Sequence, residues 1–403
     1  MKFSHHIIIG QALTDLQGKL DSILAAHPQQ QVVFKRYFLP DESLRQQFPA
    51  EKGAVSYIIQ PVLCEGSVAL WLVLCEGAQV HDQGRETILE GEGIRLIITA
   101  SLTCPEGTSE QQTRSIFSAY AAGLERHGLT LEGNCIRTWL FCDDIDHQYA
   151  GLVKARREFF AACGLTAQTH FIASTGIAGR PAGAGTPEGA YSLVSANEGV
   201  PAPAAARGAD AVWAAARGAE TAPAAARAAD AVWAAAQGAE TAPAAARAAD
   251  AVRAAEHTAI VQMDALAMEG AFTQRYLYAR THLSPTYDYG VTFERGVRID
   301  AGGHHATLIS GTASIDHKGN ILHEGDVTAQ TRRMWENVEA LLDEAGDAWS
   351  DVRMMLVYLR NREDAALVKP LFDERFPDTP KVFLHAPVCR PGWLVEMECI
   401  ASA

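Results

Sequence analysis

The sequence has no long apolar run and no paired cysteines. Its longest apolar stretch, near Val68–Cys75, is too short to span a membrane. The apolar run Ile7–Ile9 is too short for the core of a signal peptide. Eight cysteines are scattered without a CxxC pair or zinc-ligand spacing, which predicts reduced thiols in a cytoplasmic protein. His304 and its neighbour His305 fit no standard metal-site spacing, so we expect neither a metal nor another cofactor.

Basic residues are in the minority. The net charge of −14 argues against nucleic acid and against an anionic membrane as main partners, because both need a basic face. A small anionic substrate stays compatible with this charge, since a few clustered arginines can form a local positive pocket. No P-loop, GxGxxG or GxSxG pattern occurs, so nucleotide binding and hydrolysis by an activated serine lack support.

An alanine-rich repeat interrupts the chain. Residues 202–221 read APAAARGADAVWAAARGAET, residues 222–241 repeat them almost unchanged, and a third copy decays after Val252. Alanine favours helix, and a proline near the start of each copy interrupts it. We interpret residues 191–260 as a low-complexity insert of short helices or disorder outside the core, rather than as a binding array.

A second repeat lies outside the insert. Two predicted helices share Gln-Thr-Arg near their starts, at an offset of 218 residues, and each ends before a glycine. After each helix come a strand, a second helix containing Leu-Val-Lys, and a closing strand. The first helices are predicted over residues 109–127 and 327–345, and the strands after them over 136–140 and 352–356. These matches indicate that one α/β unit occurs twice.

The order of strands and helices predicts an α+β fold, with helices packed on one face of a mixed sheet. We divide the chain into an N-terminal unit at 1–190, the insert at 191–260 and a C-terminal unit at 271–403. The first ninety residues are expected to complete the sheet of the N-terminal unit.

The C-terminal unit resembles the Rid/YjgF family. The resemblance rests on Ile309–Ser314, Gly325–Gln330, Trp335–Val338 and the tail Val395–Ala401. It implies two tandem Rid/YjgF-like units of chorismate-mutase-like fold, the first of them degenerate. It also implies that Arg390 binds a substrate carboxylate and that Glu396 corresponds to the glutamate that positions water in the imine deaminases of the family. Rid proteins are typically trimers, which allows a homotrimer here.

The chain outside the insert resembles the chorismatases, two-unit relatives that hydrolyse the enolpyruvyl ether of chorismate. The matching stretches are Arg137–Trp139, Tyr149–Phe160, Ala173–Ile177 and Tyr287–Arg295. The resemblance implies release of pyruvate together with a dihydroxycyclohexadiene or a hydroxybenzoate. Two alternatives stay open: an imine or enamine deaminase of the Rid type, and a non-catalytic Rid-fold binding protein.

Chorismate is a dianion, so its pocket needs fixed cations, and the planar guanidinium group suits carboxylates. Cleavage of the enol ether needs a proton donor, and a carboxylic acid with a raised pKa fits that role. We predict Glu396 as this acid. The predicted substrate-binding residues are Arg390, Arg295, Tyr289, Arg137 and Arg156.

Each prediction has a simpler competing interpretation. The two glutamates could lie on a solvated strand face, Arg390 could be a surface residue, and Arg156 could lie on an exposed helix face. Tyr289 could be a core residue. Arg137 could be structural, because Arg353 occupies the corresponding place in the repeat.

Overall fold

The computed structural model describes residues 1–63, 65–183 and 259–402. The alanine-rich copies lie outside this range. In the described part, the strands form three sheets, of five, six and six strands. None of the described helices is both long enough and apolar enough to cross a membrane.

The first sheet is built by the N-terminal segment. Its strands run in the order β1-β4-β2-β3, and Arg180–Pro181 (β10) is added at the edge beside β3. Strands β2 and β3 are parallel, whereas β4 is antiparallel to both of its neighbours. The elements are β1 (Lys2–Gly10), α1 (Leu13–Ala26), β2 (Gln31–Leu39), α2 (Glu42–Arg45), β3 (Val55–Ile59) and β4 (Val68–Glu76).

The second sheet has the order β5-β6-β7-β11-β8-β9, in which only β8 and β9 are parallel. Helices α3 and α5 pack against each other. The elements are β5 (Gln79–Gln83), β6 (Glu86–Gly91), β7 (Ile94–Thr103), α3 (Ser109–Arg126), α4 (Leu131–Asn134), β8 (Cys135–Cys142), α5 (Ile145–Ala162), β9 (Ala173–Ala178) and β11 (Val261–Gly270).

The third sheet repeats this topology, with the order β12-β13-β14-β17-β15-β16 and one parallel pair, β15 with β16. Two repeated units of mixed α+β structure are therefore present, as predicted. The elements are β12 (Phe272–Leu277), β13 (Gly296–Ala301), β14 (His304–Ala313), α6 (Val327–Ala345), β15 (Val352–Leu359), α7 (Ala365–Arg375), β16 (Lys381–His385) and β17 (Val395–Ser402).

The expectation that the first ninety residues complete the sheet of the first unit holds only for β5 and β6. Residues 2–76 instead contribute to a separate sheet, with the order strand, helix, strand, helix, strand, strand. The same order runs from β7 to β11 and from β14 to β17. The central strand of the first unit, β11, instead follows the insert. The boundaries at 190 and 271 stay a prediction, but sheet membership carries the first unit on to Gly270.

A buried glutamine fixes the start of the central strand in both units. The side-chain oxygen of Gln112 accepts the backbone N–H groups of Ile260 and Val261. Gln330 does the same for Leu394, at 2.9 Å. The spacing of Ser109 and Gln112 also fits a capping box, but the box at the start of α3 is formed one residue earlier, by Thr108 and Gln111. The shared Gln-Thr-Arg motif therefore positions β11 and β17.

Candidate active site

The central strands of the two units carry paired polar residues at matching places. Strand β11 begins Val-Gln-Met-Asp and β17 begins Val-Glu-Met-Glu. The second acid of each strand meets a buried arginine: Asp264 lies 2.8 Å from Arg36, and Glu398 pairs with Arg137. The first position is an amide in one unit and a carboxyl in the other. Of these two strands, only β17 therefore offers a titratable group there.

Glu398 anchors the two units to each other. Its carboxylate accepts hydrogen bonds from Arg137, from the Trp139 indole at 2.9 Å, and from the hydroxyls of Thr175 and Tyr358 at 2.6 Å each. Three of these donors belong to the first unit. Because donors surround both carboxylate oxygens, Glu398 is suited to a structural role.

Arg137 belongs to this anchor. Besides Glu398, its guanidinium donates to the hydroxyls of Ser310 at 2.7 Å and Thr175 at 2.6 Å. This placement favours the structural interpretation of Arg137 over substrate binding. Arg353 does not share its position. The bulge of β8 falls at Ile136 and that of β15 falls at Arg353, so the residue of β15 that corresponds to Arg137 is Met354. At the bulge, Arg353 is exposed and donates to the Ser402 carbonyl.

Glu396 is 5% exposed and has no hydrogen-bond partner among the described residues. Burial raises its pKa to about 8, with a further increase from Glu398, while Arg295 and Arg137 oppose the shift. The carboxyl is therefore mostly protonated at neutral pH. Gly311 makes room for it, since a Cβ at that position would overlap the Glu396 carboxyl oxygen. The site thus contains a neutral carboxylic acid, ready to donate a proton.

Three arginines are buried around this acid without an ion-pair partner in the described residues. They are Arg156, Arg295 and Arg390, and each is at most 4% exposed. Arg295 donates to the Ser284 carbonyl at 3.0 Å, and Arg390 to the Gly319 carbonyl at 2.9 Å. The Nε of each arginine is buried without a partner, as is one terminal nitrogen of Arg156. Because an unpaired buried charge is costly, this arrangement points to an anionic ligand.

Two aromatic rings support the three guanidinium groups. The Arg390 guanidinium lies 4.4 Å from the ring centre of Tyr289, and that of Arg295 lies 5.4 Å from both Tyr289 and Phe293. The Arg156 guanidinium lies 5.8 Å from Phe293. Burial raises the pKa of Tyr289, against the influence of Arg295 and Arg390. Cation–π contacts of this kind hold the cations in place without neutralising them.

The structure thus brings five of the six predicted site residues together and places the sixth, Arg137, in the neighbouring anchor. The alternatives of a solvated strand face, a surface Arg390 and an exposed helix face for Arg156 are wrong, because all of these side chains are buried. Tyr289 is buried as a core tyrosine would be, but it packs against two arginines. The roles of these residues in binding and catalysis stay predictions.

Sequence reasoning missed Tyr149 and Cys389 as neighbours of the site. Burial raises the pKa of Tyr149, and Arg156 and Glu396 act on it electrostatically. Burial also raises the pKa of the Cys389 thiol to about 12, with a contribution from Glu396. Tyr149 begins one of the stretches that carry the resemblance, but nothing in its spacing distinguishes it from a core tyrosine.

Comparison with known proteins identifies the family of the chain. Residues 299–403 match the family model described as Endoribonuclease L-PSP. A RutC family protein from Pyrococcus abyssi is 34% identical over 96 residues, which cover 23% of this chain and 76% of that protein. The chain belongs to the Rid/YjgF family. The segment matched by the family model, residues 299–403, contains α6, Arg390 and strand β17 with Glu396.

A crystal structure of a chorismatase is similar over nearly the whole chain. The TM-score is 0.61 with 15% sequence identity, covering 99% of this chain and 98% of the other. This similarity shows that the two proteins share a fold. A putative endoribonuclease L-PSP from Entamoeba histolytica is also similar, with 20% identity and a TM-score of 0.28; 32% of this chain and 100% of the other are covered.

Proposed function

We propose that this Rid protein hydrolyses the enolpyruvyl ether of a cyclic dicarboxylate of the chorismate type. The observation that carries the proposal is a protonated, buried Glu396 beside three buried arginines without carboxylate partners in the described residues. Such a site is complementary to a dianion that must accept a proton. Fixed arginines would bind the two carboxylates, because their planar donors match carboxylate geometry.

In the proposed reaction, Glu396 donates its proton to the methylene carbon of the enolpyruvyl group. The adjacent ether carbon becomes an oxocarbenium centre, and water adds to it. The resulting hemiketal loses the ring alcohol, so one water is consumed and pyruvate is released with a dihydroxycyclohexadiene carboxylate. Loss of water from that ring would give a hydroxybenzoate instead. The glutamate regains a proton from the attacking water.

Glu398 would contribute through its charge. Its carboxylate raises the pKa of Glu396, and ionised Glu396 becomes a second negative charge near the oxocarbenium centre. The pKa of about 8 lies close to working pH, where a general acid combines adequate protonation with adequate acidity. We expect kcat/KM to fall as the pH rises above about 8, because the ionised acid of the free enzyme cannot donate.

An imine or enamine deaminase is the competing proposal from the same family. A small monocarboxylate would need Arg390 and Glu396 but would leave Arg156 and Arg295 buried without an ion-pair partner in the described residues. The number of unpaired guanidinium groups therefore favours a dianionic substrate over a small imino acid.

The test measures the pyruvate released from chorismate, with lactate dehydrogenase as the coupling enzyme. We expect turnover by the wild type and a decrease of at least about 100-fold for Glu396→Gln, the usual scale for loss of a general acid. Glu363→Gln, which alters an exposed glutamate of the same unit, is the matched control and should keep full activity.

Chromatography of the ring product distinguishes the dihydrodiol from the hydroxybenzoate. If no pyruvate forms above background, the chorismate proposal fails. Ammonia release from imines generated in situ by an amino-acid oxidase then tests the deaminase. Failure in both assays, combined with binding of chorismate in calorimetry, would support a non-catalytic binding protein.

A further inference from the structure

A large cavity lies between the three sheets, away from the candidate active site. Its volume is about 470 Å³, within the range of small-molecule pockets. All three sheets contribute to its walls, and none of the six predicted site residues lines it. The wall does include Trp139, which belongs to the neighbouring anchor. The apolar wall residues include Phe34, Val73, Leu96, Leu266, Met268 and Ile400.

The polar groups within the wall are already bonded inside the protein. The Trp71 indole donates to the His5 ring at 3.3 Å, and the Trp139 indole donates to Glu398 at 2.9 Å. Burial, with a contribution from His6, lowers the pKa of His5 to about 4, so its ring is neutral at working pH. The interior therefore offers little to a polar metabolite and suits an apolar body.

The lysine, arginine and glutamate side chains that line the cavity are exposed, which places them at its mouth. Lys2 and Arg353 are there, and Glu92, the only carboxylate residue among the described lining residues, pairs with the Met1 ammonium group at 2.6 Å. Phe3, an exposed aromatic residue at 41%, lies beside them. The mouth therefore carries more positive than negative side chains and complements an anionic head group.

We infer that this cavity binds an amphipathic carboxylate whose apolar chain fills the space between the sheets, while its carboxylate meets Lys2 and Arg353 at the mouth. A chain of about a dozen carbon atoms suits a pocket of this size. The site is distinct from the candidate active site, where three buried arginines require a compact dianion. Trp139 separates the two, because it lines the cavity and donates to Glu398.

Undecanoate brominated at its terminal carbon is the probe, because bromine quenches tryptophans that it touches and Trp71 and Trp139 lie in the wall. We expect saturable quenching with about one site per chain. Leu266→Trp, which fills the cavity, should weaken binding of non-brominated undecanoate roughly tenfold in calorimetry, since lost apolar burial costs affinity on that scale. Leu367→Trp, at an exposed leucine of α7, is the matched control and should bind normally.

If Leu266→Trp does not fold, Ile98→Phe fills part of the same space with a smaller change. The head-group assignment is tested with undecanol and with the double variant Lys2→Gln, Arg353→Gln. We expect the variant to weaken the acid several-fold and to leave the alcohol unchanged. Non-saturable quenching, or binding unaffected by the filling variants, would overturn the cavity site. Equal affinity for acid and alcohol would overturn the carboxylate preference.

Discussion

Glu396→Gln should change how the stability of the protein depends on pH, whatever the substrate. The folded protein keeps the Glu396 proton up to a pKa of about 8, whereas the unfolded chain releases it near the ordinary value of 4.5. Between these values the folded state binds more protons than the unfolded state. The free energy of unfolding of the wild type therefore falls as the pH rises through this window. A glutamine cannot ionise, so the variant lacks this contribution.

The size of the effect follows from the two pKa values. Each tenfold change in proton activity is worth about 1.4 kcal/mol for a group that is protonated in only one state. Between about pH 5.5 and pH 8, the wild type should lose about 3 kcal/mol of stability relative to Glu396→Gln. Below the ordinary glutamate pKa the difference between the two proteins should become constant, because both states of the wild type are then protonated.

Urea unfolding followed by circular dichroism measures this difference at a series of pH values. Other titrating groups occur in both proteins and cancel in the comparison, apart from Glu398, which is coupled to Glu396. Glu363→Gln provides the control, since an exposed glutamate should give a flat difference. A flat difference for Glu396→Gln would mean that Glu396 titrates normally, and both the burial argument and the proposed acid would then be refuted.

Three further predictions use other parts of the structure. Arg156→Met should raise the melting temperature, because it removes a buried charge without an ion-pair partner; calorimetry measures this effect. The same change should raise KM for a dianionic substrate at least about tenfold in steady-state kinetics, because it removes a cation that binds the ligand. Glu398→Gln should cost about 3 kcal/mol or more in urea unfolding, because it leaves Arg137 buried without its carboxylate; a loss under 1 kcal/mol would contradict the anchor role. Light scattering should give a monomer of 43.4 kDa, because one chain already packs three sheets around the cavity. A mass three times larger would contradict this prediction and support the homotrimer that the family resemblance allows.

Local signals were enough to predict most helices and strands. Helix α6 was predicted over its observed range from the Gln-Thr-Arg match near its start and from Gly346, which ends it in the left-handed conformation that glycine adopts most easily. The sequence pattern places the closing strand of the first unit near residues 169–174, about four residues before β9 begins, since the loop before β9 contains the apolar pair Phe171-Ile172. The place of β11 in the first unit was missed, because its partners β7 and β8 precede the insert and a long insert hides such pairing from sequence patterns.

The candidate site could be predicted by residue type but not by environment. The family resemblance and the chemistry of dianion binding selected Glu396 and the arginines. Burial decided between their possible roles, and burial depends on contacts between the two units. Arg137 illustrates the limit: its partner Glu398 lies 261 positions away in sequence. The sequence match of Arg137 with Arg353 was one residue out of register, because the bulges of β8 and β15 pair Arg137 with Met354, and such a shift leaves no mark on the sequence pattern.

The three related segments explain why one chain has a single candidate acid. Strands β4, β11 and β17 occupy the same place in their sheets, and the bulges in their partner strands align them residue by residue. At the place of Glu396 the other two strands carry Ala69 and Gln262, and neither of these side chains can donate a carboxyl proton. At the place of Glu398 they carry Trp71 and Asp264. The anchoring acid, Asp264 or Glu398, is thus present in two segments, and in both Rid-like units it pairs with a buried arginine of a neighbouring sheet. The proposed proton donor, Glu396, occurs only on the last of these three strands.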